Sequence, residues 1–234
     1  MSNTPEPTKR FTERVDNYVK YRPGYPAGVL DLLQNECGLT TDSVIADVGA
    51  GTGIFTKLLL QRGYKVYAVE PNQAMQQAAC MWLGSNKNFI PVDAAAEATT
   101  LATHSIDMVV CAQAFHWFND ARTRWEFNRI LKENGLAALI WNNRLADTDD
   151  FSVAYEQLLK TKSVDYNKVN HRNIGDIDFK AFFKNGGYKQ VNFPNAQEFD
   201  FNGLMGRAFS SSYVPPESST EGVKFKELLK NIFT

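Results

Sequence analysis

The sequence predicts an α/β protein built on one doubly wound, mostly parallel sheet with helices on both faces. Three observations lead there. Short apolar runs alternate with amphipathic helical stretches over most of the first two thirds of the chain, a glycine-rich turn joins the first apolar run to a helix, and no linker-like segment interrupts the alternation. Strand, helix and strand at this spacing require right-handed crossovers, which make consecutive strands parallel and place helices on the two faces.

The elements follow in order. Pro26 opens an apolar helical stretch ending near Gly38, and Val44-Ile45-Ala46-Asp47-Val48 is a short run suited to a strand buried on both sides. The next helix carries Phe55, Leu58 and Leu59 and stops at Gly63. Lys65 to Glu70 reads as the second strand. Asn72 is placed to cap a helix in which Met75, Ala78, Ala79 and Trp82 share one face. Asn88 to Pro91, Ile106 to Ala112 and Leu136 to Trp141 predict further strands, with a helix over Ala121 to Leu131. Beyond Asn142 come a helix around Phe151 to Leu159, a shorter one through Phe179 to Phe183, a sixth strand over Tyr188 to Phe193, and a last helix through Phe225 to Ile232. Ser218 and Glu221 have capping-box spacing ahead of that helix. The final third is expected to decorate the sheet within a single domain.

Composition narrows the function classes. A chain of 234 residues that is 44% hydrophobic and 22% charged has ordinary globular usage. Lys and Arg number 25 against 26 Asp and Glu, which removes the whole-chain argument for a nucleic-acid or membrane-surface partner. No apolar run approaches the ~18 residues of a membrane helix, and Met1-Ser2-Asn3-Thr4-Pro5 has no apolar signal core. Cys37, Cys80 and Cys111 are scattered, with no C-x-x-C spacing, and no histidine pair has metal-ligand spacing. The expectation is a cytoplasmic protein without a metal site.

The chemistry concentrates at Asp47-Val48-Gly49-Ala50-Gly51-Thr52-Gly53, between a buried strand and a helix. Glycines there permit positive φ and close approach of a ligand, and the following helix N-terminus is expected to offer free N–H donors. Glu70, ending the next strand, is placed to take both hydroxyls of a ribose. A dinucleotide fingerprint needs a third glycine at position 54, where Ile54 stands. An acidic residue two places before the first glycine suits an ammonium better than a pyrophosphate, and so points to S-adenosylmethionine.

With these residues in view, the sequence resembles the class I S-adenosylmethionine-dependent methyltransferases, in particular their type 11 small-molecule branch. Four segments carry the likeness: Arg10-Phe11 with Val15 to Tyr18 and Tyr21 to Pro26, then Glu70 to Met75, Gln113 to Phe118, and Ser211 to Pro215. The resemblance implies a Rossmann-like sheet and a division into an N-terminal lid (1–25), a cofactor-binding core (26–142), and substrate-side helices with the sixth strand (143–234). It further implies that Gly49, Ala50 and Gly51 lie along the methionine moiety of the cofactor, with Asp47 supporting its ammonium. Glu70, followed by Pro71, would hold the ribose, Met75 would lie near the adenine, and Asp93 with Ala94 would contact the adenine edge. Gln113 and Ala114 would line the methionine side. Tyr18, Tyr21, Arg22, Trp117 and Tyr213 are implied on the lid and acceptor side, the product being S-adenosylhomocysteine.

Such domains end in an antiparallel hairpin. No strand-like segment follows the last helix here, so two alternatives stay open: the sequence stops short of its final antiparallel strand, or the sheet closes differently. A missing strand would leave backbone groups unpaired. His116 is the candidate general base, set against a structural role among Phe115, Trp117 and Phe118. Arg22, Arg144 and Arg207 are candidates for an acceptor's carboxylate, although Arg207 reads as a surface residue. The acceptor is a small molecule whose reacting atom the sequence does not identify, and the oligomeric state is open. Two other readings stay open: a nicotinamide-dependent oxidoreductase, and a cofactor-binding module without turnover.

Overall fold

The computed structural model describes residues 15–233. Arg10, Phe11 and the rest of the expected lid before residue 15 lie outside the described residues. The strands are β1 (Val44–Val48), β2 (Lys65–Val69), β3 (Phe89–Val92), β4 (Ile106–Ala112) and β5 (Leu131–Ile140). The helices are α1 (Val15–Tyr21), α2 (Ala27–Asn35), α3 (Ile54–Gln61), α4 (Gln73–Leu83), α5 (Ala121–Ile130), α6 (Asp150–Lys162), α7 (Tyr166–Val169), α8 (Asp176–Phe182), α9 (Phe201–Phe209) and α10 (Thr220–Phe233). They group into two compact units. The first holds Gly24–Trp141 with Ile174–Asn195, and the second holds α1, Asn142–Asn173 and the chain from Ala196. The block expected from 143 to 234 is therefore divided, its middle segment belonging with the sheet.

In the first unit the five strands are all parallel, in the order β3-β2-β1-β4-β5. Because side chains alternate along a strand, Ile45, Val66, Ala68, Met108 and Val110 face one layer. There they meet Leu30 and Leu33 of α2, Phe55 and Leu59 of α3, and Leu83 of α4. Ala46, Val48, Val69, Val109 and Cys111 face the other, against Phe127 and Ile130 of α5 and Phe182 of α8. Each large side chain so buried contributes roughly 1.5–3 kcal/mol, which explains why strands that read as continuous apolar runs sit in the middle of the sheet.

Three local expectations are corrected. β5 begins at Leu131 rather than Leu136. Leu131 pairs with Ile106, and an irregularity then lets the polar Lys132–Gly135 stretch swing out before the ladder resumes. Tyr188 to Phe193 forms no strand. Side chains rather than a backbone ladder hold it: the Tyr188 hydroxyl donates to Asp176 at 2.6 Å, its ring stacks on Phe183, and Phe193 packs on Gly28 of α2. Among the described residues no antiparallel strand joins the sheet. The cap of α10 is Ser219, one residue later than expected, its Oγ accepting from the Gly222 N–H at 2.9 Å.

The second unit is helical. Tyr155, Leu158 and Leu159 of α6, Leu204, Ala208 and Phe209 of α9, and Phe225 and Leu229 of α10 make its core.

Candidate functional site

Chain order reverses between β1 and β4, which are spatial neighbours. At such a switch point the loops leaving the strands' C-terminal ends diverge and open a crevice. Those loops begin here at Gly49 and Gln113. Gly49 has φ of +74°, and a Cβ built on it would lie 2.5 Å from the Ala114 Cβ, so packing and backbone both require glycine. Gly51 has φ of +57° and open space in front of it, with the Met75 sulfur 3.7 Å from where a Cβ would be. Gln113 is a non-glycine residue at φ +59°, and its N–H donates to the Ile140 carbonyl at 2.8 Å. Such backbone persists only where its surroundings enforce it.

The turn's amides are not free. The N–H groups of Gly49 and Ala50 both donate to the Val69 carbonyl, at 2.9 and 3.1 Å, and that of Gly53 donates to Ala50 at 2.9 Å. The Gly51 N–H donates to Glu70 Oε2 at 2.9 Å. The turn's own amides at Gly49, Ala50, Gly51 and Gly53 are thus spent inside the fold, which leaves little of the turn itself for a phosphate.

Beneath the turn the polarity is the opposite one. Asp47 is 1% exposed; its Oδ2 accepts from the Thr56 hydroxyl at 2.6 Å, and its Oδ1 is buried with no partner. The Thr52 hydroxyl is also buried and unpartnered. Burial pushes the Asp47 carboxyl up to about 7; hydrogen bonding from Thr56 opposes this, and the nearby Glu70 charge adds to it. A bare, buried carboxylate oxygen calls for a cation or a strong donor.

Glu70, just past the end of β2, is half-buried and tied in. Besides Gly51, it accepts from the Asn72 N–H at 2.8 Å, and burial raises its carboxyl against these two bonds. The Asn72 side chain caps α4 by accepting from the Met75 N–H at 3.0 Å, as its position predicted. Met75 is buried, Pro71 and Ala94 are half-buried, and Asp93 is exposed just past β3. Asp47, Gly49, Ala50, Gly51, Glu70, Met75, Gln113 and Ala114 thus come together at the ends of β1, β2 and β4. Thr56 was not among the sequence-predicted residues; nothing in its helical position marks it.

His116 lies on a 3₁₀ turn over Phe115–Trp117, half-buried, with its ring 4.8 Å from that of Trp117. Its Nδ1 accepts from Trp141 Nε1 at 3.4 Å. Indole nitrogen only donates, so the neutral imidazole carries its proton on Nε2. The lone pair that a general base would use is thereby engaged.

The other predicted residues belong to the second unit. Tyr18, Tyr21 and Arg22 lie on or just after α1, which packs on α9. The Tyr213 ring meets Tyr166 edge-on at 4.9 Å. Arg144 is ion-paired with Glu156. Arg207, expected on the surface, is half-buried. Among the described residues no group of three or more His, Cys, Asp or Glu could hold a metal ion, and no helix is long and apolar enough to cross a membrane.

The model of the type 11 family, a methyltransferase domain, matches residues 46–139. A methyltransferase-like protein of Schizosaccharomyces pombe, itself uncharacterized, is 36% identical over 140 residues, covering 58% of this chain and 52% of the relative. A protein of Dictyostelium discoideum named as a candidate methyltransferase is 29% identical over 208 residues, covering 85% of this chain and 77% of the relative. The chain thus spans about half the length of the fission-yeast relative it matches. Among solved structures, one described as a candidate type II methyltransferase from Anaeromyxobacter dehalogenans aligns with a TM-score of 0.65 at 19% identity. It covers 91% of this chain and 89% of that one, a likeness of fold.

Proposed function

We propose, from the match of residues 46–139 to a methyltransferase-domain family, that the chain transfers a methyl group from S-adenosylmethionine to a small-molecule acceptor. One observation carries the reading. The buried, unpartnered Asp47 Oδ1 sits under a glycine turn whose amides are largely satisfied. That pairing suits a ligand bearing an ammonium and disfavours the pyrophosphate of a nicotinamide dinucleotide, which needs free N–H donors.

On this reading Asp47 accepts from the ammonium of the methionine moiety, and Gly49, Ala50, Gly51, Gln113 and Ala114 line that end. Each Glu70 oxygen accepts one backbone N–H and keeps a further lone pair, so the carboxylate can hold both ribose hydroxyls without releasing the turn. Met75, Asp93 and Ala94 serve the adenine, with Pro71 shaping the chain between ribose and α4. S-adenosylmethionine, when bound, supplies an electrophilic methyl on a sulfonium. For direct displacement the protein's task is to align the acceptor and exclude water. A base is needed only where the acceptor must lose a proton, and His116, its Nδ1 engaged by Trp141, serves better as a positioned Nε2 donor. Trp117, Tyr18, Tyr21, Arg22 and Tyr213 are proposed on the acceptor side.

Calorimetric titration with S-adenosylmethionine and S-adenosylhomocysteine tests this. Saturable binding is expected for both; none at millimolar concentration, or tighter binding of a nicotinamide dinucleotide, overturns it.

A further inference from the structure

The second unit gathers positive charge among tyrosine rings. The Arg22 guanidinium lies over the Tyr18 ring, 4.7 Å from its centroid, and donates to the Ser210 carbonyl at 3.1 Å. One turn away on α9, Arg207 donates to the Ser211 hydroxyl at 3.2 Å. Arg144 lies over the Tyr155 ring at 4.9 Å. Among the described residues a single carboxylate, Glu156, answers this charge. It pairs with Arg144, lies 3.9 Å from Arg172 and 3.5 Å from Lys160, and accepts from the Tyr166 hydroxyl at 2.9 Å.

That leaves cations without anions. Among the described residues neither Arg22 nor Arg207 has an ion-pair partner; their hydrogen bonds go to a carbonyl and a hydroxyl. Two guanidinium nitrogens, Arg22 Nε and Arg144 Nη1, are buried with no acceptor. The surplus is felt by its neighbours. His171 is pushed down to about 4, by burial first and then by Arg172 and Arg22, and the Arg207 guanidinium is lowered by burial and by Arg22. Buried guanidinium groups without a counter-ion are costly and persist where something completes them. Their planar forks match an oxyanion, and the flanking rings match an apolar or aromatic body.

We propose that Arg22 and Arg207, with Arg144, Tyr155 and Tyr213 beside them, bind a small organic oxyanion carried on an aromatic or apolar body. Its assignment as the methyl acceptor rests on the transferase reading above; the binding site itself does not.

The test titrates the full chain at low ionic strength with benzoate and phenyl phosphate, against benzamide as the neutral analogue and inorganic phosphate as the bare anion. At least one aromatic anion is expected to bind saturably, ten-fold or more tighter than both controls. Arg22→Gln and Arg207→Met should each weaken it at least ten-fold, and Arg207→Lys should keep part of the affinity. Should Arg207→Met fail to fold, Arg22→Gln and Arg207→Lys read the same contacts. No saturable binding of either aromatic anion, equal binding of benzamide or of inorganic phosphate, or unchanged affinity in the arginine variants overturns the proposal. Titration of the same protein with S-adenosylmethionine keeps the two readings apart. Failure there with anion binding intact overturns the transferase reading alone, and the converse overturns this one alone.

Discussion

Thr56 holds one oxygen of Asp47 and leaves the other bare: its hydroxyl donates to Oδ2 at 2.6 Å, while Oδ1 lies buried with no hydrogen-bond partner. A carboxyl so placed is stabilised in its neutral form, and its pKa rises to about 7. The folded state therefore holds this proton over a range in which the unfolded chain has lost it. Stability from this group is fully present below about pH 4 and is lost as pH rises toward 7, by up to about 1.4 kcal/mol per pH unit. Urea denaturation of wild type and Asp47→Asn across that range should show the difference between them changing with this sign. A pH-independent difference would mean that Asp47 is ionised throughout.

The same variant separates stability from binding. Asp47→Asn removes the buried charge with little change of shape, so the fold should survive. S-adenosylmethionine affinity should drop at least ten-fold at pH 8, where wild-type Asp47 is ionised. In wild type, affinity should weaken as pH falls below about 7, because the ammonium then meets a neutral acid. Calorimetry at pH 6 and pH 8 reads both effects.

Glu70 has a structural duty as well as the proposed ribose contact, because it accepts from the amides of Gly51 and Asn72. Glu70→Ala should therefore lose more than ten-fold in cofactor affinity and also about 1–3 kcal/mol of stability, from two amides left without their acceptor. Glu70→Gln keeps one carbonyl acceptor and should recover part of the stability. Paired calorimetric and thermal-unfolding measurements check this; unchanged cofactor affinity in both variants would remove the ribose from Glu70.

Gly49→Ala confronts two obstacles, a left-handed φ and a 2.5 Å approach to the Ala114 Cβ. Backbone strain alone costs about 1–3 kcal/mol. Adding Ala114→Gly relieves the collision but not the strain, so the double variant should unfold at an intermediate denaturant concentration. Equal stability of the single and double variants would show that the turn shifts to avoid Ala114.

For His116, the tautomer is directly observable. Long-range nitrogen–proton correlation spectra should show the neutral ring protonated at Nε2 in wild type, and a mixture of tautomers in Trp141→Phe, which removes the donor to Nδ1. An Nδ1–H tautomer in wild type would restore the general-base role.

Much of the fold was legible in the chain itself. The run from Val44 to Val48 reads as a doubly buried strand because nearly every residue is apolar, and Ile106–Ala112 was bounded correctly for the same reason. Asn72 announced its cap by type and position. The glycine spacing with Asp47 and Glu70 marked the site, since only particular residue types can occupy a left-handed turn beside a carboxylate. Periodicity, however, reports that a side chain is buried and not against what. The five residues added to the start of β5 depend on Ile106 accepting Leu131 as a partner, and Tyr188–Phe193 lost its strand because side-chain anchors, not a backbone edge, engage it. Whether the turn's amides were free was likewise undecided until Val69 and Glu70 were seen to take them. The bare oxygen of Asp47 and the unpartnered guanidinium nitrogens Arg22 Nε and Arg144 Nη1 belong to the same class. Hydrogen bonds and ion pairs join residues far apart in sequence, and a missing partner becomes visible only when every neighbour has been brought into place.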